Sequence, residues 1–149
     1  MINLVLGNDD LVVPWVEARL PYTPRLPRPC ASIGVADDET LVAGAVYHGL
    51  RAHEVRGRKA SSIEISLCAD QKGWGQRWVV QALLRYPFVQ LECTRLNAMI
   101  RRKNKAWREK LKWLGFKEEG ILRHWYADDD AVIYGMLREE SARWTGVDT

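Results

Sequence analysis

The clearest chemistry lies in eight consecutive residues, Asp70-Gln71-Lys72-Gly73-Trp74-Gly75-Gln76-Arg77. A strand pattern ends just before them and a helix pattern begins just after. Two glycines in such a turn let the backbone take positive φ and let a ligand come close to it. Unpaired N–H groups at the following helix N-terminus then point outward, where the helix dipole favours negative charge. A diphosphate fits this geometry without any side chain. Ser62 to Cys68, the strand entering the turn, alternates: Ile63, Ile65 and Leu67 share one face, and Glu64, Ser66 and Cys68 the other. Glu64 therefore sits on the polar face of the strand that feeds the turn. It is either a working carboxylate or one that points to solvent or pairs with a nearby arginine.

The remaining reactive residues are dispersed. His48, His53 and His124 lack metal-ligand spacing and are expected at the surface or at strand edges, with His53-Glu54 a distant alternative base. Cys30, Cys68 and Cys93 are odd in number and lack C-x-x-C spacing, so buried neutral thiols are expected rather than disulfides or a zinc site. No sequence neighbour of Cys68 suggests a Cys-His pair. Arg101, Arg102, Lys103, Lys105, Arg108, Lys110 and Lys112 crowd one stretch, and Arg51, Arg56, Arg58 and Lys59 sit in an expected loop. The net charge of +3 is too small to imply nucleic acid as a partner.

The elements that must position these groups follow from periodicity. Ile2 to Leu6 reads as a strand, and Asn8, Asp9 and Asp10 offer caps for a helix over Leu11 to Leu20, in which Pro14 fits only near the first turn. Pro21, Pro24, Pro27 and Pro29 forbid regular structure, leaving a loop or a substrate-facing wall. Ile33 to Ala36 and Leu41 to His48 read as a hairpin, and residues 49–61 as a loop. Val79, Val80, Leu83 and Leu84 give a helical stripe ended near Pro87, and Val89 to Leu96 another strand. Asn104 begins a helix with Trp107, Leu111 and Leu114 buried, and Gly115 stops it. Phe116 to Trp125 and Ala131 to Leu137 close the chain as an antiparallel pair. With 149 residues, 47% apolar and 28% charged, a single domain over 1–149 is expected. No apolar run approaches the ~20 residues of a membrane span, and the start lacks a signal-peptide pattern. The expectation is a cytoplasmic protein without membrane attachment.

Several runs resemble the GNAT superfamily of acyl-CoA N-acyltransferases over roughly residues 33–140. Gly73 and Gly75 match the small positions of its Q/R-x-x-G-x-G/A loop, with Asp70 standing where Gln or Arg belongs. Asn104 through Gly115-Phe116 resembles its "N…LGF" helix, and Gly115 to Arg123 the run "GF-x-x-EG-x-x-R". Ile133-Tyr134-Gly135-Met136-Leu137-Arg138-Glu139-Glu140 resembles the ending of the branch related to ribosomal-protein N-terminal acetyltransferases, and of small bacterial and phage GNAT proteins. The resemblance implies an α/β (α+β) fold, with a mixed central sheet of about six to seven strands flanked by helices.

It also implies acetyl-CoA as cosubstrate, an amine-bearing acceptor and N-acetyl transfer by direct attack. Its diphosphate would lie on Gln71, Lys72, Gly73, Trp74, Gly75, Gln76 and Arg77, with the thioester along Ser66, Leu67 and Cys68. Asn104 would contact the pantetheine arm. Lys103, Lys105 and Arg108 would lie near the course of CoA, and Arg101 or Arg102 near its 3′-phosphate. Trp74 either covers the diphosphate or adenine, or packs on the helix start. Glu64 heads the run that resembles the general-base strand of histone-type members. The tyrosine that many members use to protonate the thiolate corresponds to Leu111, leaving water, Tyr126 or Tyr134. A catalytically weak acyl-CoA-binding sensor or structural module is the alternative, and monomer and homodimer stay open.

Overall fold

The computed structural model describes residues 1–20 and 25–148. They form β1 (Ile2–Leu6), α1 (Asp9–Glu17), β2 (Cys30–Asp37), β3 (Thr40–Val55), β4 (Arg58–Ala69), α2 (Arg77–Arg85), β5 (Arg95–Arg101), α3 (Lys105–Leu114), β6 (Lys117–Tyr126), β7 (Asp129–Leu137) and the short α4 (Ala142–Thr145). The strands make one seven-stranded sheet in the order β1-β2-β3-β4-β5-β7-β6. Only the β4–β5 pair is parallel. The expected mixed sheet with helices on both faces is what the chain forms.

One face of the sheet is covered by α1, whose Val12, Val13 and Val16 are buried with Val46 and Cys68. The approach is close. A Cβ built on Gly44 would lie 2.8 Å from Val16 Cγ2, so the helix sits where only glycine leaves room. The opposite face carries the larger core, where Val79, Leu83 and Leu84 of α2 and Leu111 and Leu114 of α3 meet Ile63, Ile65 and Leu96. The Trp144 indole N–H of α4 donates to the Leu114 carbonyl at 2.7 Å and ties the C-terminus to that core.

Three local expectations are corrected. Residues 49–61 are not a loop: β3 and β4 continue as a two-stranded ribbon, turned at Arg56 and Gly57 with φ of 53° and 78°. Residues 49–59 are exposed, so no buried face stamps a period on them. Val89 does not begin a strand. Tyr86–Gln90 is a wide helical turn in which the Leu91 N–H reaches the Tyr86 carbonyl at 3.0 Å, and β5 starts at Arg95. The wide turn accommodates Pro87, which has no N–H to give, while Phe88 fills the core. Pro14 lies beyond the first turn of α1, on its exposed side, and Asn8 caps that helix without a side-chain bond. Pro21 to Pro24 lie outside the described residues. The rest of that proline-rich segment packs on α1: Leu26 is buried, and its N–H donates to Glu17 Oε2 at 2.7 Å.

Candidate functional site

The site begins with a failure of strand pairing. β4 and β5 are paired only from Ser62–Arg95 to Glu64–Asn97, and from there they diverge. Residues 65–69 and 98–101 thus line an opening instead of a ladder. A narrow cavity of about 70 Å³ lies in the wedge, walled by Ile65, Leu67, Ala98, Trp107 and Leu111. A wider one of about 620 Å³ adjoins it, sharing Leu67, Met99, Ile100 and Trp107 and adding Asp70, Asn104 and Tyr126. Ser66, Leu67 and Cys68 all border these hollows, Ser66 the narrow one, Cys68 the wide one and Leu67 both.

The glycine turn closes one end. Gly73 takes φ 89°, and Cβ atoms built on Gly73 and Gly75 would meet nothing within 4 Å, so both face open space. A third hollow of about 320 Å³ lies against Lys72, Gly73, Trp74, Gly75, Gln76 and Lys110. It sits at the N-terminus of α2, where backbone donors and the dipole favour an anion, and two lysines border it. The residues present therefore fit a diphosphate. Asp70 is neutralised: Arg19 Nε and Nη2 donate to its two oxygens at 2.7 and 2.8 Å, and this hydrogen-bonded guanidinium holds the carboxyl below its ordinary value. The Arg19 guanidinium itself lies 3.5 Å from the centre of the Trp15 ring.

Other expected ligand contacts are disposed differently. Trp74 is not solvent-exposed; it is buried and stacks on Trp107 at 6.1 Å between ring centres, with Lys110 Nζ above both rings. Its indole forms a wall common to the turn hollow and the wedge. Arg77 leaves the turn, donating to the Arg143 carbonyl at 2.8 Å. Asn104 lines the wide cavity, but its side-chain oxygen caps α3 by accepting from the Trp107 N–H at 3.3 Å. Arg108 is turned to Tyr134, the Arg102 carbonyl and Glu118. Lys103 lines the wide cavity. Gln71 lines none of these three hollows.

Glu64 lies on the other face of β4, opposite His48 in the β3 register. His48 is buried within the sheet, contrary to the surface or strand-edge position expected for it, and its Nε2 lies 2.9 Å from Ser66 Oγ and 3.7 Å from Glu64 Oε2. Burial pushes the Glu64 carboxyl above its ordinary value and the His48 imidazole below its own. Both shifts disfavour the charged forms, so burial opposes an ion pair between the two groups. Tyr126 connects this face to the wide cavity. It lines that cavity, and its phenol is pushed up by burial and further by the charge of Glu64. Tyr134 is fully buried beneath α3, accepting from Arg108 Nε at 3.0 Å, and lines none of these hollows. Cys68 is buried and its thiol is pushed up to about 11, so it is no nucleophile. Among the described residues no cluster of side chains can hold a metal ion.

His48 and the Arg19–Asp70 pair escaped the sequence reading because each depends on register or docking between distant segments. The one available signal was the unmatched Asp70, which called for a cation.

No family model matches the chain, and no curated protein matches it in sequence. Its architecture is nevertheless the GNAT fold of N-acetyltransferases. The ribosomal-protein-S5-alanine acetyltransferase of Vibrio fischeri aligns with a TM-score of 0.69 at 14% identity, covering 97% of this chain and 94% of that one. A mutant form of the spermidine/spermine N-acetyltransferase SpeG from Vibrio cholerae gives 0.68 at 14% identity, over 96% and 98%. Mycobacterium smegmatis RimJ in complex with CoA-disulfide gives 0.58 at 21% identity, over 85% of this chain and 58% of that one. Each is similar to this chain in fold. Among the described residues no helix is long and apolar enough to cross a membrane.

Proposed function

We propose that this chain is an acetyl-CoA-dependent N-acetyltransferase acting on a primary amine. One observation carries the reading: β4 and β5 part just beyond Glu64, and the hollows that open there run from Tyr126, which feels the Glu64 charge, to a glycine turn at a helix N-terminus whose glycines face open space. Lys72, Lys110 and the backbone of Gly73 to Gln76 would hold the diphosphate. Leu67, Met99 and Asn104 would border the pantetheine arm. When bound, acetyl-CoA supplies the acetyl thioester that the amine attacks.

A lysine amine has an ordinary pKa of ~10.4 and an α-amine ~7.7–8.0, so either is mostly protonated near neutral pH and needs a base. Glu64 accepts that proton, directly or through one water. Its raised pKa brings its proton affinity nearer to that of the amine. His48, neutral and bonded to Ser66, lies 3.7 Å from the carboxylate and adds no charge beside it. Tyr126 replaces the acid missing at Leu111: its phenol stays protonated and faces the cavity where the leaving sulfur would emerge. The activity would belong to an acetyl-CoA-containing compartment, the cytoplasm.

A second reading, an acyl-CoA-binding module without turnover, is favoured by Leu111 and by the Trp74–Trp107 stack that walls the turn from the wedge. Calorimetry with acetyl-CoA, followed by mass spectrometry across peptide, lysine and polyamine acceptors, separates the two. Binding with a +42 Da product on one acceptor class is expected. Tight binding with no product on any acceptor favours the module, and no binding refutes both.

A further inference from the structure

The β3–β4 ribbon is an unusual place to spend charge. β2 stops pairing with β3 at Cys30–His48, and β4 is last held by β5 at Ser62–Arg95 and by Thr94 at Ser61, so from Ala52 to Ala60 β3 and β4 have only each other among the described residues. A lone two-stranded ribbon is marginal in water, so its composition reflects what it meets as well as how it folds. It carries Arg51, Arg56, Arg58 and Lys59 against one acid, Glu54, which lies opposite Lys59 in the register. Elsewhere in the chain Arg19, Arg28, Arg95, Arg101, Arg102 and Arg108 are each ion-paired, and Arg77, Arg85, Arg138 and Arg143 donate to backbone carbonyls. Among the described residues no carboxylate pairs with Arg51, Arg56 or Arg58.

A bulge decides which way the charge faces. His48 opposes Glu64, but Arg51 opposes Ser62, so β3 contains one extra residue between them. Side chains alternate along a strand, and residues opposite one another share a face. The extra residue therefore puts Arg51 and His53 on the Glu64 face, together with Ser62 and Arg58 of β4. Without it they would lie on the other side of the sheet. The same face continues onto β5 and β7, where Asn97, Met99 and Ile133 are half-exposed.

We propose that this ribbon is a docking arm for acidic polypeptides, and that the acceptor amine is carried on such a segment. The proposal rests on the amine-acetylation reading of the Glu64 face. Charge complementarity selects an acidic partner, since three unpaired guanidinium groups match carboxylates in geometry as well as sign. Polypeptide is favoured over nucleic acid on two grounds. Leu50 and Val55 lie exposed among the arginines, at 58% and 60%, giving apolar contact between the charges. A base such as Glu64 serves an aliphatic amine, which polypeptide N-termini and lysines carry and nucleobases do not. A polycationic amine would be repelled by the arm.

The test uses two peptides of equal length with the same free N-terminus, one carrying Glu and Asp after it and one carrying Gln and Asn. Wild-type protein is expected to prefer the acidic peptide in kcat/KM by roughly fivefold or more at low salt, with the ratio falling toward one at high salt. The double variant Arg51→Gln/Arg58→Gln brings the ratio to about one. Arg51→Lys/Arg58→Lys keeps most of it, which a collapsed ribbon would not. A wild-type ratio of one overturns the arm while amine acetylation stands. If neither peptide is acetylated, the underlying reading fails, and fluorescence anisotropy with the labelled acidic peptide tests the arm alone: no binding refutes it. An RNA oligonucleotide that binds more tightly than the acidic peptide, and displaces it, overturns the commitment to polypeptide.

Discussion

Around Glu64, loss of water decides the protonation states more than gain of a partner. The carboxyl is raised because burial penalises its charge, and His48 is lowered for the same reason, so neither supplies a counter-charge to the other. In the proposed mechanism that leaves Glu64 a stronger base than an ordinary carboxylate, and a phenol at Tyr126 that burial and the Glu64 charge keep protonated. We expect Tyr126→Phe to lower kcat by roughly 10-fold to 100-fold, with acetyl-CoA affinity nearly unchanged. Steady-state kinetics paired with calorimetry checks this. An undiminished kcat assigns the leaving-group proton to water. At this scale the sequence showed which residue types were present but not their distances. Tyr126 and Tyr134 were equivalent candidates until the fold turned one toward the cavity and the other under α3. His48 was unremarkable until the β3 register set it against Glu64.

Two elements fix the positions of the cavity walls, and each makes a separable prediction. Asn104 follows the end of β5 at Arg101 and starts α3 by accepting the Trp107 N–H. Asn104→Ala removes that cap and is expected to destabilise the fold by about 1 kcal/mol, read by urea unfolding. A larger loss would indicate contacts beyond the cap. Gly75 tests the turn without that cost. A Cβ there meets nothing within 4 Å, so Gly75→Val can fold normally while filling the hollow. Calorimetry should show acetyl-CoA affinity reduced by at least tenfold, with urea stability close to wild type. Undiminished affinity places the diphosphate elsewhere. The turn, the α3 cap and the Gly115 stop were all readable because glycine and asparagine carry local backbone requirements. Gly115 indeed has φ 115°. The 49–61 ribbon was not readable, since strands exposed on both faces bury nothing and show no alternation. The Pro87 turn misled because Val89 to Leu96 is β-prone in composition while Phe88, in the wide helical turn, and Cys93, beyond it, are buried without strand pairing.

Taken whole, the molecule is a sheet split along one seam, with α2 and α3 over one side of the split and an open face carrying Glu64 on the other. The order of strands and helices was legible because each element repeats its own period, and that order led to the fold. The seam was not, because pairing between β4 and β5 ends by geometry rather than by any residue that forbids it. Adjoining hollows run from the turn to Tyr126, which feels the Glu64 charge, and the proposed function depends on that carboxylate acting as the base. The pH dependence of kcat/KM for an α-amine acceptor, in wild type and Glu64→Gln, tests this directly. The proton-accepting form of Glu64 is the ionised one, so the wild-type rate should rise as pH increases through a midpoint above the usual carboxylate range. In Glu64→Gln the rate should fall by roughly 100-fold, and its rise should move up to the amine's own pKa, about 8. Two profiles of the same height and midpoint would contradict the account.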